Sequence, residues 1–255
     1  MNKKYYHAAL YGSLINLLPA LFFGNSSTFQ YTLLLSFGNF FSWQIANLVG
    51  YMFTLLPFLM QIYLFSTILY EDIDRAAAYI FTRTHNRHTW YRKKVLALVG
   101  SSAVYYLSSA LILLIVWLVS NPVFGGSLWE GLAGVGLSIA ANTLVLFIVN
   151  ILTLFIKEHY VFLITWGSFF PLMFLTALII EATGGAFWLV ALPTTHVSAF
   201  WHDAAYVHEM GTTLTYIQGF RLWHSAVYIA LAYVVVYVWG LAVINRKDLT
   251  LLRGD

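Results

Sequence analysis

The chain is a series of long apolar runs separated by short polar connections. Five stretches contain no Asp, Glu, Lys or Arg: Ile45 to Tyr70, Val95 to Val119, Leu132 to Ile156, Val161 to Ile180 and Ser225 to Ile244. A helix rising 1.5 Å per residue needs about 20 residues to cross a hydrocarbon core of roughly 30 Å. The pattern therefore predicts five spans at 45–70, 95–119, 132–156, 161–180 and 225–244. A sixth is predicted over 5–23, where Pro19 is tolerable because neighbouring helices can satisfy the freed backbone groups. The stretch 28–41 also lacks charge and is open to three readings, a further short span, a re-entrant piece or an interfacial helix, of which Gln30, Ser36, Gly38, Asn39 and the nearby Ser42 favour the interface.

Composition agrees with a bilayer setting. Hydrophobic residues make up 60% and charged residues 9%, against roughly a quarter charged in soluble domains. The 18% aromatic content suits the boundary between hydrocarbon and headgroups. With no cysteine, disulfides, thiolate metal sites and thiol nucleophiles are excluded. Lys3 and Lys4 precede an apolar stretch as in a signal peptide, yet no small-residue cleavage site follows, so a retained first helix is expected.

Basic residues resist translocation, and their placement sets orientation. With six spans and both termini cytoplasmic, Lys3, Lys4, Arg75, Arg83, Arg87, Arg92, Lys93, Lys94, Lys157, Arg246, Lys247 and Arg253 all lie inside. Of the 13 basic residues only Arg221 lies outside. The net charge of +3 thus reflects short cytosolic connections, and no nucleic-acid partner is expected. The expected fold is all-α: a polytopic six-helix transmembrane bundle forming one domain over 1–255. Its outer loops are 24–44, 120–131 and 181–224, and its main inner loop is 71–94. The third outer loop is rich in Phe, Trp and Tyr and is expected to lie on the outer leaflet or cap the helices.

None of the five charge-free spans carries an ionisable side chain of the kind an ion-driven carrier needs. Asn47, Gln61, Asn142 and Asn150 are expected to hydrogen-bond between helices. There is no phosphate-cradling GxxxxGK[ST] loop and no GxSxG elbow. His208-Glu209 opens like a zinc-protease HExxH, but Thr212 stands where the second His belongs. His196, His202, His208 and His224, with Asp203 and Glu209, form the one ligand-capable cluster. The first three are six residues apart, which is not helical ligand spacing. They are therefore expected to be interfacial or solvated, with His202 and His208 the weak metal candidates.

The inner loop is patterned. Acids Glu71, Asp72 and Asp74 come first, an Ala-rich segment with an apolar face (Ile73, Ala77, Ile80, Phe81) follows, and bases close it. That order suits a helix dipole and an amphipathic helix, which could rest on anionic lipid or meet a partner protein.

The run Phe81-Thr82-Arg83-Thr84-His85-Asn86-Arg87-His88-Thr89-Trp90-Tyr91-Arg92-Lys93-Lys94, placed after the second of six spans, resembles the permease subunits of type-2 ABC transporters. It is most similar to small Gram-positive peptide-export or immunity permeases whose loop reads L-[TS]-R-x-x-[SN]-R-x-x-[WY]-x-x-x-K. Thr82, Arg83, Asn86, Arg87, Trp90 and Lys94 fill those places. Many relatives instead carry a Gly after the acid and a Pro at the position of Arg83. The resemblance implies a coupling helix that docks on a separate ATPase through Glu71, Asp72, Arg75, Arg83, Arg87 and Trp90. It further implies a second permease, identical or related, and export of hydrophobic or amphipathic peptides or lipids across a bacterial plasma membrane. ATP and Mg would bind the partner, and no cofactor would bind this chain directly. Two other readings are a membrane-embedded lipid-acting enzyme using the outer His and acid residues, and a non-catalytic scaffold or immunity protein that binds a toxin.

Overall fold

A computed structural model describes residues 6–15, 29–38, 48–71, 73, 87–120, 128–209 and 216–246. The described residues are helical, with no strand among them. We number the α-helices α1 (6–15), α2 (Phe29–Phe37), α3 (Leu48–Phe65), α4 (Arg87–Ser120), α5 (Leu128–Leu152), α6 (Glu158–Thr183), α7 (Ala205–Glu209) and α8 (Leu222–Arg246). Four of them, α4, α5, α6 and α8, are long and apolar enough to cross a membrane. A shorter apolar helix covers Leu55–Glu71. The expected first span at 5–23 is described only over 6–15, so the count of six lies partly outside the described residues.

Helix α5 is the hub, packing against α2, α3, α4, α6, α7 and α8. Its most apolar stretch is 56% buried, against 22–33% in the other three long helices, which turn most of their surface outward. An apolar exterior of this kind, with Leu107, Leu111, Val119, Leu163, Leu231 and Val235 exposed, is stable only against lipid or another apolar surface. Inside, interhelical hydrogen bonds supplement the apolar packing. Gln61 donates to Ser102 (2.9 Å) and Tyr106 donates to Gln61 (2.9 Å), with Asn142 donating to Tyr106 (3.3 Å). This chain of amide and hydroxyl groups ties α3, α4 and α5 together where no water can substitute. The interhelical role expected of Gln61, Asn142 and Asn150 is observed; Asn47 lies outside the described residues.

Three sequence expectations are corrected. The first concerns 28–41, where an interfacial helix would keep one face in headgroups or water. Helix α2 instead has nine residues, too few to cross a bilayer, and positions 32–38 are buried without interruption. Although α2 carries Thr32 and Ser36, both are buried, because the helix sits among α3, α4 and α5. Its Phe29 ring meets Trp117 near the end of α4 (5.1 Å), and its Phe37 ring meets Tyr106 near the middle of α4 (5.6 Å). The short helix thus descends into the bundle from the end where α4 finishes.

The second correction concerns the inner loop. Its last part, Arg87 to Lys94, is the opening of α4, which runs unbroken for 34 residues. The bases therefore stand at a helix N-terminus, where the dipole disfavours them, instead of closing a preceding helix. At about 1.5 Å per residue, α4 is some 50 Å long and projects well past a hydrocarbon core.

Third, α3 does not continue smoothly to residue 70. It ends at Phe65, turns at Ser66–Thr67 and becomes helical again at Ile68.

Candidate functional site

Two regions combine charge or proton chemistry with defined geometry, one at each end of the bundle. At the loop end, the start of α4 is fastened to the finish of α8. The Arg87 guanidinium donates to the Ile244 carbonyl (2.9 Å) and lies 3.5 Å from that of Asn245. These are among the last carbonyls of α8 within the described residues, at the negative end of its dipole. A cation there is favourable, which offsets its poor position at the head of α4. One turn on, the Tyr91 hydroxyl donates to Tyr237 O (3.2 Å), and the two rings meet at a tilt of 36° with centroids 5.1 Å apart. His88 and the Tyr237 hydroxyl are 3.3 Å apart. The helices can approach this closely because position 240 is Gly: an added Cβ would overlap the Tyr91 hydroxyl and come within 2.9 Å of Ile151.

Among the candidate ATPase-contacting residues, Glu71 is half-buried and accepts from Thr67 (2.8 Å). Arg87 is engaged on α8, and Trp90 is only 7% exposed, so its indole is part of the packing. Asp72, Arg75 and Arg83 lie outside the described residues. Ile73, on the apolar face expected for the loop, is buried.

The far end is closed by the segment between α6 and α8. Helix α6 stops at Gly184 and Gly185, both at positive φ (63° and 75°), a reversal that costs L side chains strain. Three short 3₁₀ turns follow, Phe187–Ala191, Pro193–His196 and Ala199–Trp201. Phe200, Trp201, Tyr206 and Phe220 are buried, while Phe187, Trp188 and Trp223 remain exposed on the rim. The capping role expected of this loop is observed. It meets α2 through Ala199 N–H donating to Gly38 O (2.9 Å), so two inserted segments close the same end.

Two of the histidines expected to be solvated or interfacial are enclosed: His196 is 3% exposed and His202 0%. The reason is local. Each ring finds a backbone carbonyl, a shared hydroxyl and an aromatic face, so burial leaves few polar atoms unmet. His196 Nε2 lies 2.9 Å from Val190 O, and its Nδ1 lies 2.9 Å from Ser225 Oγ. His202 Nδ1 lies 3.1 Å from Ala199 O, and its Nε2 lies 2.8 Å from the same Ser225 Oγ. Tyr228 stacks on His196 (3.9 Å) and Phe220 on His202 (4.3 Å). Burial pulls both imidazoles below their usual pKa, His202 to about 4, with His224 adding repulsion.

His208 lies elsewhere, exposed and 2.9 Å from Asp203. Gly219 N–H also donates to Asp203 (2.9 Å), and these contacts hold the Asp203 carboxyl below its usual range. Beside them a cavity of about 320 Å³ is lined by Glu130, Asp203, Arg221 and Trp223. The metal candidates His202 and His208 therefore sit in different environments. No three His, Asp or Glu side chains are grouped to hold a metal among the described residues. Ser225, the centre of the buried cluster, was not singled out by the sequence. A serine opening an apolar run carries no signal until residues 29 and 23 positions away fold onto it.

No family model matches this chain, and neither the curated proteins nor the solved structures contain a significant match.

Proposed function

We propose that the chain is the membrane-spanning subunit of an ATP-driven ABC transporter, exporting hydrophobic or amphipathic peptides or lipids. A separate ATPase would dock on the inner loop at 71–94 and supply the energy. The observation that carries this reading is the clasp at the loop end. The segment that resembles a coupling helix runs directly into α4, and its Arg87 grips the terminal carbonyls of α8. A displacement of that loop would be passed to two long helices at once, through a rigid rod and a charge-assisted hydrogen bond. A transporter without its own motor needs such a connection.

Within this reading Arg87 has a structural duty, and Glu71, Asp72, Arg75 and Arg83 are left for the ATPase. Trp90 is buried in the core of the bundle and is not free to meet a partner. Two permease chains would face each other across their apolar sides, enclosing the substrate path in a bacterial plasma membrane. The test is co-purification from native membranes with the ATPase encoded beside this chain. Arg83→Glu is expected to abolish it while leaving the bundle folded. Arg87→Gln serves as the comparison that weakens the clasp without reversing charge. Retention of the ATPase by Arg83→Glu would overturn the docking assignment.

A further inference from the structure

The His196, Ser225 and His202 cluster has more acceptors than it has protons in its neutral state. Val190 O and Ala199 O can only accept, so an imidazole nitrogen beside either one avoids lone-pair repulsion only by carrying a hydrogen; Ala199 O also accepts from the Tyr206 hydroxyl (2.6 Å). That fixes His196 as the Nε2–H tautomer and His202 as the Nδ1–H tautomer when both are neutral. The remaining ring nitrogens, His196 Nδ1 and His202 Nε2, then each present a lone pair to Ser225 Oγ, at 2.9 and 2.8 Å. Ser225 has one hydroxyl proton and can satisfy one of them. The other contact is left as lone pair against lone pair. All three residues are at most 3% exposed, so the mismatch is shielded from bulk solvent.

We propose that this cluster is a proton-binding site: one added proton on His202 Nε2 donates to Ser225 Oγ, and the Ser225 hydroxyl donates to His196 Nδ1. In that state all four contacts contain a hydrogen, running Ala199 O, His202, Ser225, His196, Val190 O. The charge is shared between two rings held against Phe220 and Tyr228. Burial opposes the proton and the hydrogen-bond count favours it, so the cluster retains it to a higher pH than an equally buried lone imidazole would. Among the described residues, the other groups around it are His224, Arg221 and Tyr228 at the head of α8, Asp203 beyond the last 3₁₀ turn, and Tyr206 of α7. His224 acts against protonation when it is itself charged. The ligand is therefore a proton, bound in the segment that closes the far end of the bundle, independently of any ATPase.

The test is nitrogen NMR of ¹⁵N-histidine-labelled full-length chain in lipid nanodiscs, titrated with acid. The wild type is expected to show one proton shared by two coupled rings. Ser225→Ala removes the bridge and is expected to lower that titration by about one to two pH units, the strength of a hydrogen bond to a charged group. His196→Phe gives a second route, because Ser225 can then satisfy His202 without an added proton, and the same downward shift is expected. Ser225→Thr keeps a hydroxyl and should restore wild-type behaviour. Identical midpoints in wild type and both lowering variants, or two rings that titrate independently, would overturn the proposal.

Discussion

Asn150 stands in for a missing backbone hydrogen bond between Leu69 and Phe65. Where α3 breaks, the Leu69 N–H no longer reaches the carbonyl four residues before it. The Asn150 side chain enters the gap, accepting from Leu69 N–H (3.2 Å) and donating to Phe65 O (2.8 Å). Thr153 donates to the next freed carbonyl, that of Ser66 (3.3 Å). A break in an apolar helix persists only where a neighbour supplies partners of this kind. Replacing Asn150 with Leu leaves a buried N–H and C=O unmet, and a loss of about 2–4 kcal/mol is expected. Thermal unfolding in detergent measures it. Asn150→Asp should recover stability only at low pH, where the protonated carboxyl offers both an O–H donor and an acceptor; ionised, it buries a charge and destabilises further.

Gly240 and Tyr91 form a size-matched pair. An Ala at 240 places its methyl on the Tyr91 hydroxyl, and a cost of about 1–3 kcal/mol is expected from overpacking. In a Tyr91→Phe background the hydroxyl is gone, so Gly240→Ala should cost less. Near-equal cost in both backgrounds would mean that the α4 and α8 helices are not held together here. The residual cost should come from Ile151 and from the ring Cζ at position 91, each 2.9 Å from the new methyl.

Arg87→Gln removes the cation from the α8 carbonyls. A loss of about 1 kcal/mol is expected, with Arg87→Lys losing less. Faster hydrogen exchange confined to the last turn of α8 is the accompanying observation.

The acid response of the segment around 203–219 follows from Asp203. Its folded carboxyl binds a proton less readily than it would in an unfolded chain, chiefly because Gly219 N–H and His208 donate to it. The unfolded state thus takes up the proton first as pH falls, so the contribution is complete above about pH 4 and declines below it. Exchange of the peptide spanning Gly219, corrected for the intrinsic pH dependence, is expected to rise below that pH. Asp203→Asn should show no such step.

The long apolar helices were legible because about 20 uncharged residues are a coarse and redundant signal. Their edges were less so. Helix α4 already includes Arg87 to Lys94, since no proline interrupts that basic run, although charge suggested a loop. The interhelical roles of Gln61, Asn142 and Asn150 could be anticipated, since amides in apolar runs must find partners. The burial of α2 could not, because polar residues such as Thr32 and Ser36 look interfacial until α3, α4 and α5 surround their helix. The same applies to His196 and His202. Their partners are two carbonyls and a serine, and backbone carbonyls leave no mark in a sequence.

The absence of cysteine makes the central claim directly testable, since one introduced thiol is the only one in the chain. A photo-crosslinker attached at Arg83→Cys, activated in native membranes, is predicted to capture a single ATP-binding protein that also labels with an ATP photoaffinity analogue. The same crosslinker at Trp188→Cys, on the exposed rim of the far end, should not capture it. Capture of lipid alone at Arg83→Cys, or equal capture of the ATPase from both positions, would contradict the reading that the inner loop is where this bundle receives its energy.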